Sequence, residues 1–433
     1  MCSMKDLFFN VISLLNANSI SYAIVGRTEG YPENIGSDVD IMIHKEDLGK
    51  FHKAIWDIEK TGAKVVQMFQ HEIVAFYYIV FAFNGTEGIC IQPDVCTDYY
   101  RKGRKLLSAN EMLSSIREVP QGGFFVLSPE KEFIYYLLKK IDKQKISEEQ
   151  FEHIRKSFLS NPEKSLDEAR LIWCEENLSI IKDSFENNKY EYLNSCLKQL
   201  QNGIHSSKKM GFVDRLKNIV LKVKRILHPT GYVIAVMGPD GCGKTTVINQ
   251  LKKDIEPAFR KIQQFHLFPV PQKGESKAET NPQGKTKRNF VLSVLKLMYF
   301  VRIYVGGHFK YVLPAKIRST FTIFDRYYDD ILVDPLRYRN GTPDWVVKFF
   351  GLFIPEPELW IILDCPTEVI QVRKSEVPPE ETERQRQAYL ALAKTKNNCI
   401  VLNTNRNVAE ISVEACKFIC ESLNKRAIKR YKK

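Results

Sequence analysis

The sequence lacks the patterns that mark a secreted, disulfide-linked or membrane-spanning protein. None of the ten cysteines forms a Cys-x-x-Cys pair, and their scatter favours reduced thiols over a disulfide framework or a zinc site. The N-terminus has no basic and apolar signal segment. The most apolar segment, residues 290–305, is interrupted by Lys296 and Arg302. It is therefore predicted to be too short and too charged to span a bilayer. These absences predict a soluble, cytoplasmic protein.

The chain also has no internal repeat and no excess of acidic residues. Its 433 residues are too many for one core of usual size, so two or three domains are expected. The net charge of +13 favours anionic partners such as nucleotides, phosphorylated substrates, nucleic acid or an acidic membrane surface. No motif supports nucleic-acid binding, so nucleic acid is not expected as a partner.

Changes of pattern along the chain predict where its parts begin. A helical region opens at Ser128 and Pro129, a cap followed by a proline at the first helical position. Ser147 and Gln150 form a capping box for another helix. Residues 213–227 form a basic amphipathic helix after an exposed linker. The predicted parts are residues 1–125, mixed helix and strand; 126–205, helical; 206–229, linker and helix; and 230–433, the last domain with a basic tail.

An apolar strand at 233–237 leads into a glycine-rich loop and then an amphipathic helix. The loop, GPDGCGKTT at 238–246, is a phosphate-binding P-loop in its required setting. Glycines let backbone N–H groups surround phosphates, and the helix N-terminus adds positive partial charge. Lys244 is predicted to reach the β- and γ-phosphates, and the Thr245 hydroxyl to bind Mg²⁺. The predicted nucleotide-binding residues are Gly238, Asp240, Gly241, Gly243, Lys244, Thr245 and Thr246.

Cys242 lies within this loop, at a helix N-terminus and beside Lys244. Both features lower the pKa of a thiol, so the sequence predicts a reactive cysteine that bound ATP protects. The alternative is a small loop residue whose sulfur is shielded.

Two further apolar strands end in charged residues. One ends at Asp325 and Arg326, and the other at Asp364. In an open parallel sheet, ligands sit at these carboxyl ends. A charged stretch with turn residues follows, suited to a mobile lid that supplies cations to a triphosphate. The candidate lid cations, each of which also fits a solvated helix face, are Arg373, Lys374, Arg384 and Arg386.

These elements, in this order over about residues 230–425, resemble the thymidylate kinase-like branch of P-loop kinases. The resemblance implies an ATP- and Mg²⁺-dependent phosphotransferase with Lys244, Asp325, Arg326 and Arg373 as catalytic residues. Asp325 and Arg326 would contact the acceptor and its phosphate, and Arg373 would close on the triphosphate. The string at 325–339 is similar to divergent relatives from bacterial surface-polysaccharide gene clusters.

The acceptor side departs from that family. Thymidylate kinases have an Arg-Glu-Pro segment where this chain has FHLFPVP at 265–271, without arginine. An aromatic, basic insert at 285–318 suggests a larger acceptor that stacks on rings, through Tyr299, Arg302, Tyr304 and His308. The leading hypothesis is a kinase of a phosphorylated nucleotide or sugar-type acceptor. The alternatives are a true dTMP kinase with a degenerate N-terminal domain, and a nucleotide-gated regulatory protein without fast turnover.

Acidic residues of the N-terminal part form a second pattern. Asp38 and Asp40 lie two apart on a predicted strand, so their carboxylates point the same way. Such a pair is suited to bind Mg²⁺ and position a triphosphate. Asp94 is the predicted third acid, with Asp98 in reserve. The alternative is an exposed strand edge or an Asp-rich turn.

The same region resembles the nucleotidyltransferase superfamily typified by DNA polymerase β, whose pattern is Gly-Ser, about a dozen residues, then two spaced aspartates. Gly26 lies twelve residues before Asp38, but Arg27 stands where serine is usual. The resemblance implies Mg²⁺ at Asp38, Asp40 and Asp94.

The predicted fold class is α/β. A doubly wound parallel P-loop sheet forms the C-terminal domain, beside a smaller α+β nucleotidyltransferase-like domain with a helical extension. The apolar face of the helix at 213–227 is expected to pack on one of the domains, and a peripheral membrane contact is the alternative. The expected partners are a small-molecule nucleotide and a phosphorylated acceptor.

Overall fold

A computed structural model describes residues 3–72, 75–85, 87–101, 104–120, 122–204, 208–209, 212–271, 286–374 and 377–431. Its contacts divide the chain into two compact units. Unit 1 comprises Met1–Ala82, Ile89–Val223 and Asn424–Lys433, and unit 2 comprises Phe83–Gly88 and Lys224–Leu423. The boundaries of the four predicted parts stay a prediction.

The strands of unit 1 lie mostly in its first 130 residues. They are β1 (Tyr22–Ile24), β2 (Asp38–Ile43), β3 (Lys64–Glu72), β4 (Ala75–Asn84), β5 (Glu87–Cys96), β6 (Tyr99–Arg101), β7 (Arg104–Leu107), β8 (Ile116–Glu118), β9 (Phe125–Leu127) and β10 (Lys208–Lys209). Among the described residues, seven of them form one sheet in the order β3-β4-β5-β2-β1-β9-β8. β2 runs parallel to β5 and antiparallel to β1, so it is paired on both sides.

The helices of unit 1 are α1 (Met4–Ala17), α2 (Leu48–Ala54), α3 (Ala109–Leu113), α4 (Pro129–Lys143), α5 (Glu148–Ser160), α6 (Pro162–Arg170), α7 (Glu175–Glu186) and α8 (Tyr190–Asn202). The predicted capping box is present at the start of α5, between Ser147 and Gln150. Ser128 precedes α4 as predicted, but its hydroxyl donates to Glu130 Oε1 at 2.8 Å instead of capping the backbone. The start of the helix is therefore stabilised by Pro129 at its first position and by the acidic residues of its first turn.

The helix predicted at 213–227 is α9 (Phe212–Leu227). The expectation that its apolar face packs on a domain is wrong for the described side chains. Six of them are exposed: Leu216, Ile219, Val220, Val223, Ile226 and Leu227.

Unit 2 is built on a parallel sheet. Its strands are β11 (Tyr232–Met237), β12 (Lys261–His266), β13 (Thr320–Asp325), β14 (Leu359–Asp364) and β15 (Cys399–Asn403). Among the described residues they are arranged as β12-β13-β11-β14-β15, and every neighbouring pair is parallel. All six residues of β11 are buried, as expected for a central strand covered on both faces. The predicted parallel sheet is present, with β11 at its centre.

The helices of unit 2 are α10 (Lys244–Ile255), α11 (Phe290–Gly307), α12 (Leu313–Ile317), α13 (Asp330–Val333), α14 (Asp344–Gly351), α15 (Thr367–Arg373), α16 (Pro379–Thr395) and α17 (Val408–Tyr431), whose last residues belong to unit 1. The parallel order brings the carboxyl ends of β11, β13 and β14 to one edge of the sheet, where the predicted P-loop begins.

The most apolar segment is longer than predicted. α11 continues through a π-helical turn at His308–Val312 into α12. By length and composition, the 28-residue run Phe290–Ile317 is long and apolar enough to cross a membrane, and only 28% of its most apolar window is buried. The expectation that it is too short is therefore wrong, because the helix continues past the two glycines at its expected end.

Candidate functional site

The loop after β11 has the geometry of a phosphate cradle. Gly238, Gly241 and Gly243 have φ angles of +151°, +85° and +95°, which residues with a Cβ rarely adopt. A Cβ on Gly238 would also lie 2.7 Å from the Leu363 carbonyl oxygen. The loop leads directly into α10, whose first turn holds the exposed Thr245 and Thr246. A glycine loop that leads into a helix N-terminus is the arrangement that binds phosphate through backbone N–H groups.

Lys244 is buried against this loop. Its Nζ donates to the carbonyl oxygens of Gly238 and Pro239, both at 2.8 Å, and lies 3.4 Å from Asp240 Oδ1. The lysine is therefore held against the loop, and its predicted contact with the β- and γ-phosphates stays a prediction.

Asp240 gathers three cations. Besides Lys244, Arg326 donates to its Oδ1, and Arg337 Nη2 lies 2.8 Å from its Oδ2. Burial opposes ionisation of Asp240, but the nearby Lys244, Arg326 and Arg337 outweigh it and hold the pKa of this carboxyl well below its usual range. Arg337 lies in the string at 325–339, where no local pattern assigns it a role.

The backbone of Arg326 is left-handed, with φ +71°. A non-glycine residue in this region carries strain that the surrounding structure must hold. Asp330 restrains the Arg326 side chain. Its Oδ2 accepts from Arg326 Nη1 at 2.7 Å and from the Tyr338 hydroxyl at 2.7 Å. The Tyr389 hydroxyl also donates to Asp330. A buried network therefore aims Arg326 at the P-loop.

Asp325 ends β13 beside β11, as predicted. Among the described residues, its Oδ1 is buried and has no hydrogen-bond partner. A buried carboxylate oxygen without a partner is costly, and a bound ion is one way to satisfy it. Carboxylate and hydroxyl oxygens are the hard ligands that Mg²⁺ prefers, so Asp325 and the exposed Thr245 fit this ion by chemical type.

Arg373, at the end of α15, lies beside the loop. Its Nη1 would be 3.9 Å from a Cβ on Gly243, and its Nη2 donates to the Thr404 carbonyl at 3.5 Å. Two other candidate lid cations are engaged elsewhere. Arg386 pairs with Asp364 at 2.6 and 3.1 Å, and Arg384 with Glu381. Ser375 and Glu376 of the predicted lid lie outside the described residues.

One of the residues predicted to stack on the acceptor, Tyr304, is buried. Tyr304 is only 1% exposed, and its hydroxyl donates to the Leu267 carbonyl at 2.6 Å. It packs edge-on against Tyr327 and Phe268 in the core. Tyr299 is 56% exposed, and Arg302 is also exposed. Tyr304 lies on the face of α11 that packs into the core with Leu297 and Phe300, so it is not available for stacking on an acceptor.

The prediction of a reactive Cys242 is also wrong. The side chain is 0% exposed, and burial raises the pKa of the thiol by more than the nearby Lys244 lowers it. Desolvation therefore outweighs the cationic neighbour and the helix end.

In unit 1, the structure brings the predicted acids together. Asp40 on β2 is in register with Asp94 on the parallel strand β5, and Asp38 lies opposite Gln92. Burial and the neighbouring Asp40 carboxylate raise the pKa of Asp94 to about 7. Both effects favour the protonated form of Asp94 relative to an exposed carboxyl group.

A lysine supplies part of the compensation. Lys139 on α4 donates to Asp40 Oδ2 at 2.8 Å, and the Tyr77 hydroxyl donates to Asp38 Oδ1 at 2.9 Å. In the part of the chain that the structure describes, no group of three or more His, Cys, Asp or Glu side chains is arranged to hold a metal ion. Asp40 is thus paired with an ammonium group, and the predicted Mg²⁺ ligands stay a prediction.

The glycine motif lies beside this cluster. A Cβ on Gly26, whose φ is +121°, would come 3.9 Å from Asp40 Oδ2. Arg27, in the place of the usual serine, pairs with Glu149 and lines a cavity of about 630 Å³ with Glu29, His153 and Lys156. The reserve acid Asp98 accepts from the Ala109 N–H at 2.9 Å and so supports the start of α3.

Comparisons with known proteins cover less than half of the chain. The chain is 26% identical over 224 residues to a thymidylate kinase of Oenococcus oeni, covering 45% of this chain and 97% of that protein. It is 27% identical over 210 residues to a probable thymidylate kinase 1 of Saccharolobus solfataricus, covering 44% and 98%. A thymidylate kinase of Prochlorococcus marinus is 26% identical over 201 residues, covering 42% and 92%. No family model matches the chain.

These similarities support a thymidylate kinase-like domain over about 45% of the chain, and a nucleotide kinase-like phosphotransferase as its class. The five-stranded parallel sheet is consistent with a P-loop kinase domain.

The burial of Cys242 has a direct chemical consequence. We expect N-ethylmaleimide to alkylate Cys242 on the order of 10-fold or more slowly than Cys174, which is exposed, because a buried protonated thiol is a poor nucleophile. Peptide mass spectrometry after timed labelling measures both rates in the same sample. Equal rates in the folded protein would show that the loop opens readily and exposes this sulfur.

Proposed function

We propose that unit 2 is an ATP- and Mg²⁺-dependent kinase that acts on a phosphorylated nucleotide or sugar-type acceptor. The observation that carries the proposal is the glycine cradle after β11, with Lys244 held over it and the unpartnered Asp325 oxygen at the adjacent strand end. Phosphoryl transfer needs cations, Mg²⁺ and positioned oxygens more than covalent chemistry from the protein. Thr245 would bind Mg²⁺. A bound Mg²⁺ ion would neutralise negative charge on the transferred phosphoryl group.

Arg326 and Arg337 support the proposal that the acceptor carries a phosphate group. Both reach Asp240 from the chain that follows β13, so their guanidinium groups lie beside the phosphate cradle. Arginine is suited to hold phosphate oxygens through two parallel hydrogen bonds. A role in assembly of surface polysaccharide, in the cytoplasm, is the biological setting that we propose. The nine described cysteines are free, which is consistent with a reducing compartment.

A true dTMP kinase is the second candidate. The names of the relatives favour it, as does the pair of arginines beside the cradle. Against it, residues 265–271 contain no lysine or arginine, and their Phe268 packs into the core against Phe300 at 4.9 Å.

For unit 1 we extend the proposal to a nucleotidyltransferase-like module. Its support is the convergence of Gly26, Asp40 and Asp94 on one point, with the raised pKa of Asp94. Lys139 pairs with Asp40, one of the carboxylates that a divalent ion would need. We therefore propose no reaction step at this cluster.

The first test replaces the P-loop lysine. Lys244→Ala is expected to lower the rate of phosphoryl transfer by on the order of 10²-fold or more, because Lys244 stabilises charge that develops between the β- and γ-phosphates. Labelled ATP, offered with nucleotide monophosphates and sugar phosphates, measures the transfer. Wild-type protein that binds ATP but shows neither transfer nor steady hydrolysis would favour the regulatory alternative.

The matched control is Lys253→Ala, an exposed lysine on the same helix. It should keep wild-type turnover, and both variants should keep the wild-type circular dichroism spectrum. A Lys244→Ala variant that is folded and fully active would place catalysis elsewhere.

The second test asks whether dTMP is the acceptor. Because residues 265–271 supply no cation, we expect a kcat/KM for dTMP that is about 10²–10³-fold below the usual enzyme range. A steady-state assay with ATP and dTMP gives this value. A kcat/KM of roughly 10⁴ M⁻¹s⁻¹ or above would establish dTMP kinase activity and exclude the proposal of a larger acceptor.

The third test addresses the acid cluster of unit 1. Binding of Mn²⁺ to the nucleotide-free chain is followed by the loss of its free-ion electron paramagnetic resonance signal. We expect Lys139→Met to tighten binding, because it removes the ammonium that pairs with Asp40, and Asp40→Asn to weaken it. Asp57→Asn, an exposed acid of the same unit, is the control. Identical binding by all three variants would give the cluster a structural role.

A further inference from the structure

Two helices of unit 2 leave many large apolar side chains in solvent. Ten side chains on α11, on α14 and just after α14 are between 51% and 80% exposed. Soluble proteins rarely expose large apolar groups together without a partner. We call this set the apolar face: Phe290, Val291, Leu292, Leu295, Met298, Tyr299, Trp345, Phe349, Leu352 and Phe353.

The apolar face belongs to one ordered surface. α11 packs against α14, and the Gly341 N–H, just before α14, donates to Ser293 Oγ at 2.9 Å. The opposite side of α11 is fixed in the core by Leu297, Phe300 and Tyr304, each at most 6% exposed. The exposed side chains are therefore held in place by a packed helix.

The charge around the apolar face is mostly positive. Residues 286–318 contain seven lysines and arginines and no aspartate or glutamate. Four of these cations are exposed, namely Lys287, Arg302, Lys310 and Arg318. α14 adds only Asp344 and Lys348. A helix surface that combines aromatic and aliphatic groups with cations matches the interface of an anionic lipid bilayer.

The fold fixes how a bilayer could meet this surface. The run Phe290–Ile317 is long enough to span a bilayer. However, it connects β12 to β13, which are neighbouring parallel strands of one sheet. A spanning helix would place those two strands on opposite sides of the membrane. The helix must therefore lie along the membrane surface.

A second copy of the chain fits the surface less well. In a symmetric pairing, the cations of one copy would face the cations of the other, and like charges in contact destabilise an interface. An anionic surface instead complements them. We propose that the apolar face docks unit 2 onto the interfacial region of an anionic phospholipid bilayer, with α11 lying in the plane of the membrane. This proposal does not depend on the function proposed above.

The test is co-sedimentation of the full chain with vesicles. We expect binding to vesicles of phosphatidylcholine mixed with phosphatidylglycerol, and little binding to phosphatidylcholine alone. Replacing Trp345 and Phe349 by serine should lower the bound fraction on the order of 10-fold, because buried aromatic area and lipid charge act together. Arg302→Glu combined with Lys310→Glu should remove the preference for anionic vesicles.

Leu171→Ser is the matched control, since Leu171 is 64% exposed on a helix end of unit 1. It should bind as the wild type does. Thermal melting of each variant checks that it is folded, and exposed substitutions should leave the melt unchanged.

Three results would overturn the proposal. The first is no sedimentation of the wild type with anionic vesicles. The second is unchanged binding by the serine variant, which would assign membrane contact to other basic segments. The third is a dimer in analytical ultracentrifugation that the same substitutions dissociate, which would assign the apolar face to a second copy.

Discussion

The ion pairs of the kinase-like site centre on the carboxylate of Asp240. It lies between Lys244, Arg326 and Arg337, and these charges are mostly withdrawn from water. Removing one member would leave a poorly solvated charge without its partner, so the cluster holds its members in place together. Asp240 and Arg326 are 86 residues apart. One contact therefore fixes the phosphate cradle relative to the chain that leaves β13, and with it the donor side relative to the acceptor side.

The two units solve a similar electrostatic problem in different ways. In unit 2, one carboxylate is surrounded by cations and stays ionised. In unit 1, Lys139 pairs with Asp40, the Tyr77 hydroxyl donates to Asp38, and burial beside Asp40 raises the pKa of Asp94 to about 7. Under the function proposed for unit 2, the cations around Asp240 would be available to phosphate oxygens. In unit 1, burial and a neighbouring carboxylate oppose ionisation of Asp94, which a cationic ligand would favour.

Local patterns in the sequence predicted the features that depend on neighbours along the chain. The strand, glycine loop and helix at 233–251 needed only spacing and glycine, and the capping box before α5 needed only two side chains. Features set by distant contacts were not predicted. Arg337 becomes part of the site only because α13 and its buried network bring it to Asp240. The buried positions of Cys242 and Tyr304 depend on packing that no spacing reveals. The strand β3 was not predicted either, although its pairing with β4 forms one edge of the sheet in unit 1.

One feature of unit 1 affects how this chain is made. Residues 424–433 belong to unit 1, and Ala427 is buried in the same apolar cluster as Leu7, Val39 and Val65. Domains usually fold in order as they leave the ribosome. Here the ribosome must synthesise all of unit 2 before it delivers a residue that completes the first core. During that interval the apolar cluster of unit 1 lacks Ala427, Ile428 and Tyr431, so truncation before residue 424 is expected to expose apolar surface that these side chains cover.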